Sequence, residues 1–387
     1  MESLGVDRPD FMREEEVVMF ADAVDRFFEQ YATPEQNEKW RRQHQVDREL
    51  WEAAGRHGLL CASIPERYGG AGGDFRHEVV LSEAVMRRGV DGFAIGLHNG
   101  IVAPYILAYG TEEQKQRWLP KMATAEYITA IAMTEPGTGS DLAAIKTSAR
   151  RVGNQYAISG SKTFISNGQL ANLICVVTKT DPAAGARGIS LFFVETEGAE
   201  GFRRGRNLDK VGCEAQDTSE LFFDEVLVPA ENLLGLEEGK GFKQLGTELA
   251  KERLTIALQG VAVMERALAE TIPYVKERKA FGQTLLEFQN TQFKLAECKT
   301  EAVIARVFCD QCLGLLLEGK LDAARAAMAK YWVTDAQGRL IDECVQLFGG
   351  YGYMNEYPIA RMWRDARIQR IYGGTNEIMK LVIARTL

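Results

Sequence analysis

The hydrophobic period of this chain changes twice, and that change restricts the fold more than any single motif does. Over 14–31 the apolar residues Val17, Val18, Phe20, Ala21, Val24, Phe27, Phe28 and Tyr31 recur at helical spacing, and similar patterns run over 48–57 and 78–88. Thr111-Glu-Glu-Gln reads as a capping box that opens a further helix, with Pro120 expected just past its end. From 127 onward the period shortens. Runs over 127–133, 147–152, 155–159, 162–166, 173–178, 188–195 and 220–228 are short, β-branched or aromatic, and turn pairs such as Gly-Asn and Asn-Gly divide them. Past Pro229 the helical pattern returns over 242–271, 288–318, 321–348 and 376–385. The order predicts an α+β multidomain chain. Its parts are an N-terminal helical domain over 1–126, a β-sandwich or barrel domain over 127–234, and a C-terminal antiparallel four-helix bundle over 235–387.

Length and charge narrow what such a chain does. A chain of 387 residues is long for one domain and comfortable for two or three. A net charge of -8 argues against a nucleic-acid partner, which needs a basic field. No run of eighteen apolar residues is present, so no integral membrane segment is expected. Residues 1–10 read as neither a signal peptide nor an Arg-rich transit sequence, which favours the bacterial cytoplasm over a processed mitochondrial matrix protein. Seven cysteines are scattered; Cys309 and Cys312 form a CxxC inside an apolar helical run, where core packing accounts for them better than zinc or redox work. The four histidines (His44, His57, His77, His98) show no metal-ligand spacing, so no metal site is expected. Any chemistry falls to carboxylates, an alcohol or a cofactor.

Two glycine-bearing loops stand out. Over 68–74, Tyr-Gly-Gly-Ala-Gly-Gly-Asp has the glycines of a phosphate loop without its Lys-Ser/Thr. Over 131–141, a strand-like run stops at Pro136-Gly137 and opens into Thr138, Gly139, Ser140 and Asp141. That loop exposes backbone N–H and hydroxyl groups at a strand end, where a ligand with many acceptors could sit, although an ordinary connecting turn has the same composition.

The domain order and five ordered segments resemble the acyl-CoA dehydrogenase family of flavoproteins over essentially the whole chain. The segments are Met133-Thr-Glu-Pro-Gly-Thr-Gly-Ser-Asp, Lys162-Thr-Phe-Ile-Ser-Asn-Gly, Glu277-Arg-Lys-Ala-Phe-Gly-Gln, Gln346-Leu-Phe-Gly-Gly-Tyr-Gly and Ile371-Tyr-Gly-Gly-Thr-Asn-Glu. Cys213-Glu-Ala-Gln-Asp-Thr-Ser-Glu and Lys251-Glu-Arg-Leu look most like the long-chain members. The resemblance implies FAD between the β domain and the bundle, in a homotetramer built as a dimer of dimers. Met133, Thr134, Gly139 and Ser140 would line the flavin, Ser140 also touching the start of the acyl-CoA. Phe164, Ile165 and Ser166 match the stretch that packs on and bonds to the isoalloxazine ring; many members carry Trp where Phe164 stands. Arg278, Phe281, Gln289, Gln346, Gly349 and Gly350 match residues that reach a neighbouring subunit's FAD, and Thr375 and Glu377 would also lie beside the cofactor.

The reaction so implied is α,β-dehydrogenation of a saturated fatty acyl-CoA, of medium or long chain, to the trans-2-enoyl-CoA. A carboxylate removes the α-proton, the β-hydrogen leaves as hydride to FAD, and electrons pass on to an electron transfer flavoprotein. Most members hold the carboxylate in a Tyr-Glu-Gly-Thr run, which here reads Tyr372-Gly373-Gly374-Thr375. Gly373 still offers a backbone N–H to the thioester oxygen, and Tyr372 and Gly374 stay on the substrate side. Long-chain and isovaleryl members place the base on a bundle helix before an Arg, and Glu252-Arg253 stands there: Glu252 as base, Arg253 as a CoA-side contact. A solvated helix face is the competing reading of that pair. A flavin oxidase or monooxygenase on the same scaffold, a branched-chain dehydrogenase, and a non-catalytic acyl-CoA-binding scaffold that has lost its base are the alternative functions.

Overall fold

The computed structural model describes residues 4–90 and 92–387. The chain opens with α1 (Glu15–Tyr31), α2 (Pro34–Gln43), α3 (Arg48–Arg56) and α4 (Phe75–Arg88). The one-turn α5 (Ile95–Leu97) runs through a π-helical turn into α6 (Ala103–Tyr109), and α7 (Glu112–Ala123) follows. Caps follow the sequence: Thr111 Oγ1 accepts from the Gln114 amide and Gln114 Oε1 from the Thr111 amide. Pro120 lies inside α7, not beyond it. A proline in the last turn forfeits one backbone bond but leaves the first two turns intact, and here it also packs against Gly69. The glycines of 68–74 answer to packing: a Cβ on Gly70 would strike the Ile64 carbonyl, and one on Gly73 the His77 ring.

The middle of the chain forms β1 (Thr129–Ala132), β2 (Ser148–Val152), β3 (Gln155–Ser166), β4 (Leu173–Lys179), β5 (Ile189–Glu195), β6 (Phe202–Asn207) and β7 (Thr218–Pro229). They make one mixed sheet in the order β1-β4-β2-β3-β7-β6, with β5 also on β4. The sheet curls where a single pair, Ser148 with Lys179, joins β2 to β4. Two runs expected as separate strands, 155–159 and 162–166, are one strand broken by register shifts. Strand β6 carries three arginines and no apolar alternation; its pairing with β7 makes it a strand.

The rest is helical: α8 (Gly241–Glu277), a small hairpin of β8 (Lys279–Ala280) and β9 (Gln283–Thr284), α9 (Gln289–Leu317), α10 (Ala323–Phe348), α11 (Pro358–Ala366) and α12 (Asn376–Ala384). Helices α8, α9 and α10 pack pairwise and α12 lies on α10, completing four helices of which the last is short. Among the described residues no helix is long and apolar enough to cross a membrane.

Three hydrophobic clusters fix how these layers meet. The largest joins α1, α3 and α4 to α8, α9 and α10, so the two helical regions share one core, with Cys309 and Cys312 inside it. A second sits between α6, α7 and the sheet, and a third fills the sheet's other face. His98 bolts the second cluster together. It faces the Thr129 hydroxyl through Nδ1 and the Met122 carbonyl through Nε2, and burial pushes its pKa down to about 4, keeping it neutral.

Candidate active site

Helix α8 carries Glu248, Glu252 and Ile256 one turn apart, on the side that meets α6. Helix α6 answers with the same spacing. The Tyr105 hydroxyl donates to Glu252 Oε1 at 2.8 Å, and the Tyr109 hydroxyl to Glu248 Oε1 at 3.1 Å. Glu252 is only 6% exposed, and burial pushes its carboxyl up to about 7; the Tyr105 bond opposes that rise and the Glu248 charge adds to it. The solvated-face reading of Glu252 and Arg253 therefore fails, because both side chains are buried. Arg253 Nε meets no acceptor among the described residues, and burial lowers the guanidinium's pKa against the pull of Glu252. A buried cation with an orphan donor is suited to an anionic or carbonyl group that comes from outside the chain.

The loop before α12 closes over this face. Gly373 and Gly374 take φ of +66° and +89°, a region that side chains disfavour. A Cβ on Gly373 would run into Ile256 Cδ1, one helical turn from Glu252. Gly373 and the carboxylate-bearing Glu252 are thus linked through Ile256, which touches the first and lies one helical turn from the second. The Gly373 amide finds no acceptor among the described residues, so it is free to donate to a ligand oxygen. Tyr372 is exposed beside it. Thr375 caps α12 by accepting from the Ile378 amide, and Glu377 sits exposed in the first turn, its carboxyl held below its usual range by the helix amides and Thr375.

A second surface forms on the β domain. Lys162, fully buried, donates to the Met133 carbonyl at 3.0 Å and to Glu135 Oε1 at 2.9 Å. The Thr163 amide donates to the Thr134 carbonyl at 2.9 Å. Burial presses the Lys162 ammonium down to about 8 while Glu135 resists; against its own burial, Glu135 is held below its usual value by the Thr147 amide and Lys162. This clamp fastens 133–135 to the bulge in β3. There Phe164 stands out at φ +60° and 66% exposed, with Ser166 at the strand end and Gly139 and Ser140 in the open loop. Ile165 points the other way, into the sheet core, so only its backbone is offered on this side. Sequence reasoning gave Lys162 and Glu135 no role. The signal was an acidic residue in one motif segment and a lysine in another, neither given a role by its motif.

A third surface lies at the far end of the bundle. Arg278, Gln346, Gly349 and Gly350 line an open cleft of about 580 Å³ with Tyr274, Phe348 and Tyr351. Tyr274 stacks on Phe348 at 4.1 Å, and the Arg278 guanidinium lies 5.6 Å from the Tyr351 ring centre. Phe281, at the tip of the β8–β9 hairpin, is 98% exposed with φ +50°, and Gln289 is exposed at the start of α9. A solvated aromatic on a strained tip is an unfinished contact. The two surfaces fit the two ends of FAD: aromatic face, hydroxyls and backbone groups for a ring system, and an arginine beside open glycines for a diphosphate.

The family models described as acyl-CoA dehydrogenase N-terminal, middle and C-terminal domains match residues 14–126, 130–226 and 239–387. A mitochondrial long-chain specific acyl-CoA dehydrogenase of Mus musculus is 49% identical over 371 residues, covering 95% of this chain and 86% of that protein. A mitochondrial isovaleryl-CoA dehydrogenase of Pongo abelii is 36% identical over 375 residues, covering 96% and 88%. The crystal structure of an acyl-CoA dehydrogenase from Geobacillus kaustophilus superposes with a TM-score of 0.94 at 50% identity, covering 96% of this chain and 98% of that one.

Proposed function

We propose, for a chain that belongs to the acyl-CoA dehydrogenase family of FAD-dependent oxidoreductases acting on CH–CH bonds, that Glu252 is the base in the α,β-dehydrogenation of medium- or long-chain fatty acyl-CoA. The observation that supports this most is the link from buried Glu252 through Ile256 to side-chain-free Gly373. The carboxylate takes the pro-R α-proton and becomes the neutral acid. A carboxyl poised near 7 suits that transfer, because it is ionised at working pH yet basic enough to hold the proton. The Gly373 amide donates to the thioester oxygen as enolate charge gathers there, and Arg253 holds the CoA-side part of the substrate. Tyr105 keeps the carboxylate on the substrate side of α8. FAD, when bound, supplies the hydride acceptor. Met133, Thr134, Phe164 and Ser166 would hold its ring end, Thr375 and Glu377 standing near it. Arg278, Phe281, Gln289, Gln346, Gly349 and Gly350 of a second copy would hold the other end in a homotetramer, and the bare Phe281 tip supports that reading. An electron transfer flavoprotein is the proposed oxidant of the reduced enzyme.

Higher identity to the long-chain than to the isovaleryl relative supports a long straight acyl group. Anaerobic flavin bleaching with a panel from butanoyl- to hexadecanoyl-CoA, with isovaleryl-CoA alongside, tests it. A maximum at isovaleryl-CoA would overturn the chain-length assignment. Peroxide release at the turnover rate would overturn the dehydrogenase reading in favour of an oxidase.

A further inference from the structure

Two successive glycines at positive φ make 373–374 the least self-determined backbone near Glu252. An amide that stabilises a developing oxyanion must nevertheless be held before the charge arrives, since reorientation during the reaction forfeits the benefit. Something outside the loop has to hold it. The side chain that reaches the loop is Lys330 of α10, which is 0% exposed. Its ammonium donates to the Gly374 carbonyl at 2.8 Å and to Asn376 Oδ1 at 2.9 Å. Asn376 is anchored in turn: its Nδ2 donates to Thr334 Oγ1 at 3.0 Å and Asp335 Oδ1 at 2.9 Å, both on α10. A buried ammonium is costly unless its bonds are needed, and burial, then the nearby Arg253 charge, lower its pKa to about 8.

We propose that Lys330 is a positioning residue for the reaction: it pins the Gly374–Thr375 peptide while the Tyr372 amide, bonded to the Ile368 carbonyl, holds the other side, and so limits how far the Gly373 amide between them can turn from the thioester oxygen. Lys330 touches neither substrate nor flavin in this role. The assignment rests on the Gly373 amide being the oxygen's donor, as set out above, and the test separates the two.

The probe is acetoacetyl-CoA bound to the FAD-loaded enzyme. Its α-carbon lies between two carbonyls and ionises without any oxidation, so the pH midpoint of its enolate absorbance, read in the Glu252→Gln background to remove the titrating carboxyl, reports enolate stabilisation without the hydride step. That background with Lys330 intact is expected to lower the midpoint relative to the free thioester. Adding Lys330→Met is expected to return about one pH unit of that shift, equivalent to tenfold. With Glu252 in place, Lys330→Met should also slow flavin reduction by a saturated acyl-CoA about tenfold, with KM changed less than threefold and FAD content unchanged. Lys330→Gln keeps one buried donor and should fall between the two; it also stands in if the Met variant does not fold. Midpoints for both variants within about 0.2 unit of a shifted parent would overturn the clamp and leave the Gly373 reading intact. No shift in the parent would overturn both.

Discussion

The Glu252 face lies along α8 and the Arg278 cleft just past that helix's C-terminal end, and the two differ in almost every physical respect. At Glu252 the groups are buried, matched by side chains of α6 and roofed by the 373–374 loop. At Arg278 the groups are exposed, the nearest aromatic tip is bare, and the cleft is open. In the first region the carboxylate already has its partner, the Tyr105 hydroxyl, while Arg253 Nε and the Gly373 amide are left for a ligand. In the second, the Arg278 guanidinium lies by the Tyr351 ring and has no carboxylate partner among the described residues. Acid–base chemistry needs a pKa and an orientation, and both come from burial; a diphosphate grip needs donors only once the ligand and its neighbour arrive.

Breaking the buried side should show first. Glu252→Gln keeps the shape and the Tyr105 bond, yet flavin reduction by a saturated acyl-CoA should slow at least about a hundredfold in rapid mixing. The same change should alter stability against pH. Glu252 is raised from an ordinary 4.5 to about 7, so below about 4.5 it is neutral in both folded and unfolded chains. As pH climbs towards 7 only the unfolded chain releases the proton, and wild type loses up to about 3 kcal/mol that the Glu252→Gln variant retains. Denaturant melts at pH 5 and pH 8 measure the difference.

On the open side, Arg278→Ala should weaken FAD binding about tenfold, read by flavin release on dilution, because a charge-assisted contact is removed. Its pH–rate limb should stay where wild type has it. A shifted limb would mean that the two regions are coupled. Moving the base back to the loop should need a second change: Gly373→Glu combined with Glu252→Gln should recover less than about tenfold, and shortening Ile256 to Ala should raise that further. The smallest effect expected is in the limb itself. For wild type kcat/KM should rise with pH around 7, and Tyr105→Phe should move that limb up by about half a unit, since the lost donor favours the ionised carboxylate.

Helices α1, α4, α8, α9 and α10, most strands and the capping box at Thr111 were legible because each is written in the period or chemistry of neighbouring residues. Strand β6 and helix α11 were not. One is three arginines drafted into a sheet by β7, and the other is nine residues behind Tyr357 with little length for a period to show. Glu252, Gly373 and the cleft-lining glycines could be named from motifs. Their partners could not. Tyr105 lies 147 positions from Glu252, and Lys330 lies 44 from Gly374.

By itself, the sequence determined the α, β, α order, the side-chain-free loop at 373–374 and a Glu-Arg pair on a helix. The tertiary structure decided that this Glu is dry, that a tyrosine holds it, and that a lysine of another helix steadies the loop. The reason is physical: periodicity records which face of a helix is apolar, whereas burial and hydrogen-bond partners depend on how two faces are phased when they pack, and that phase is a property of the whole core.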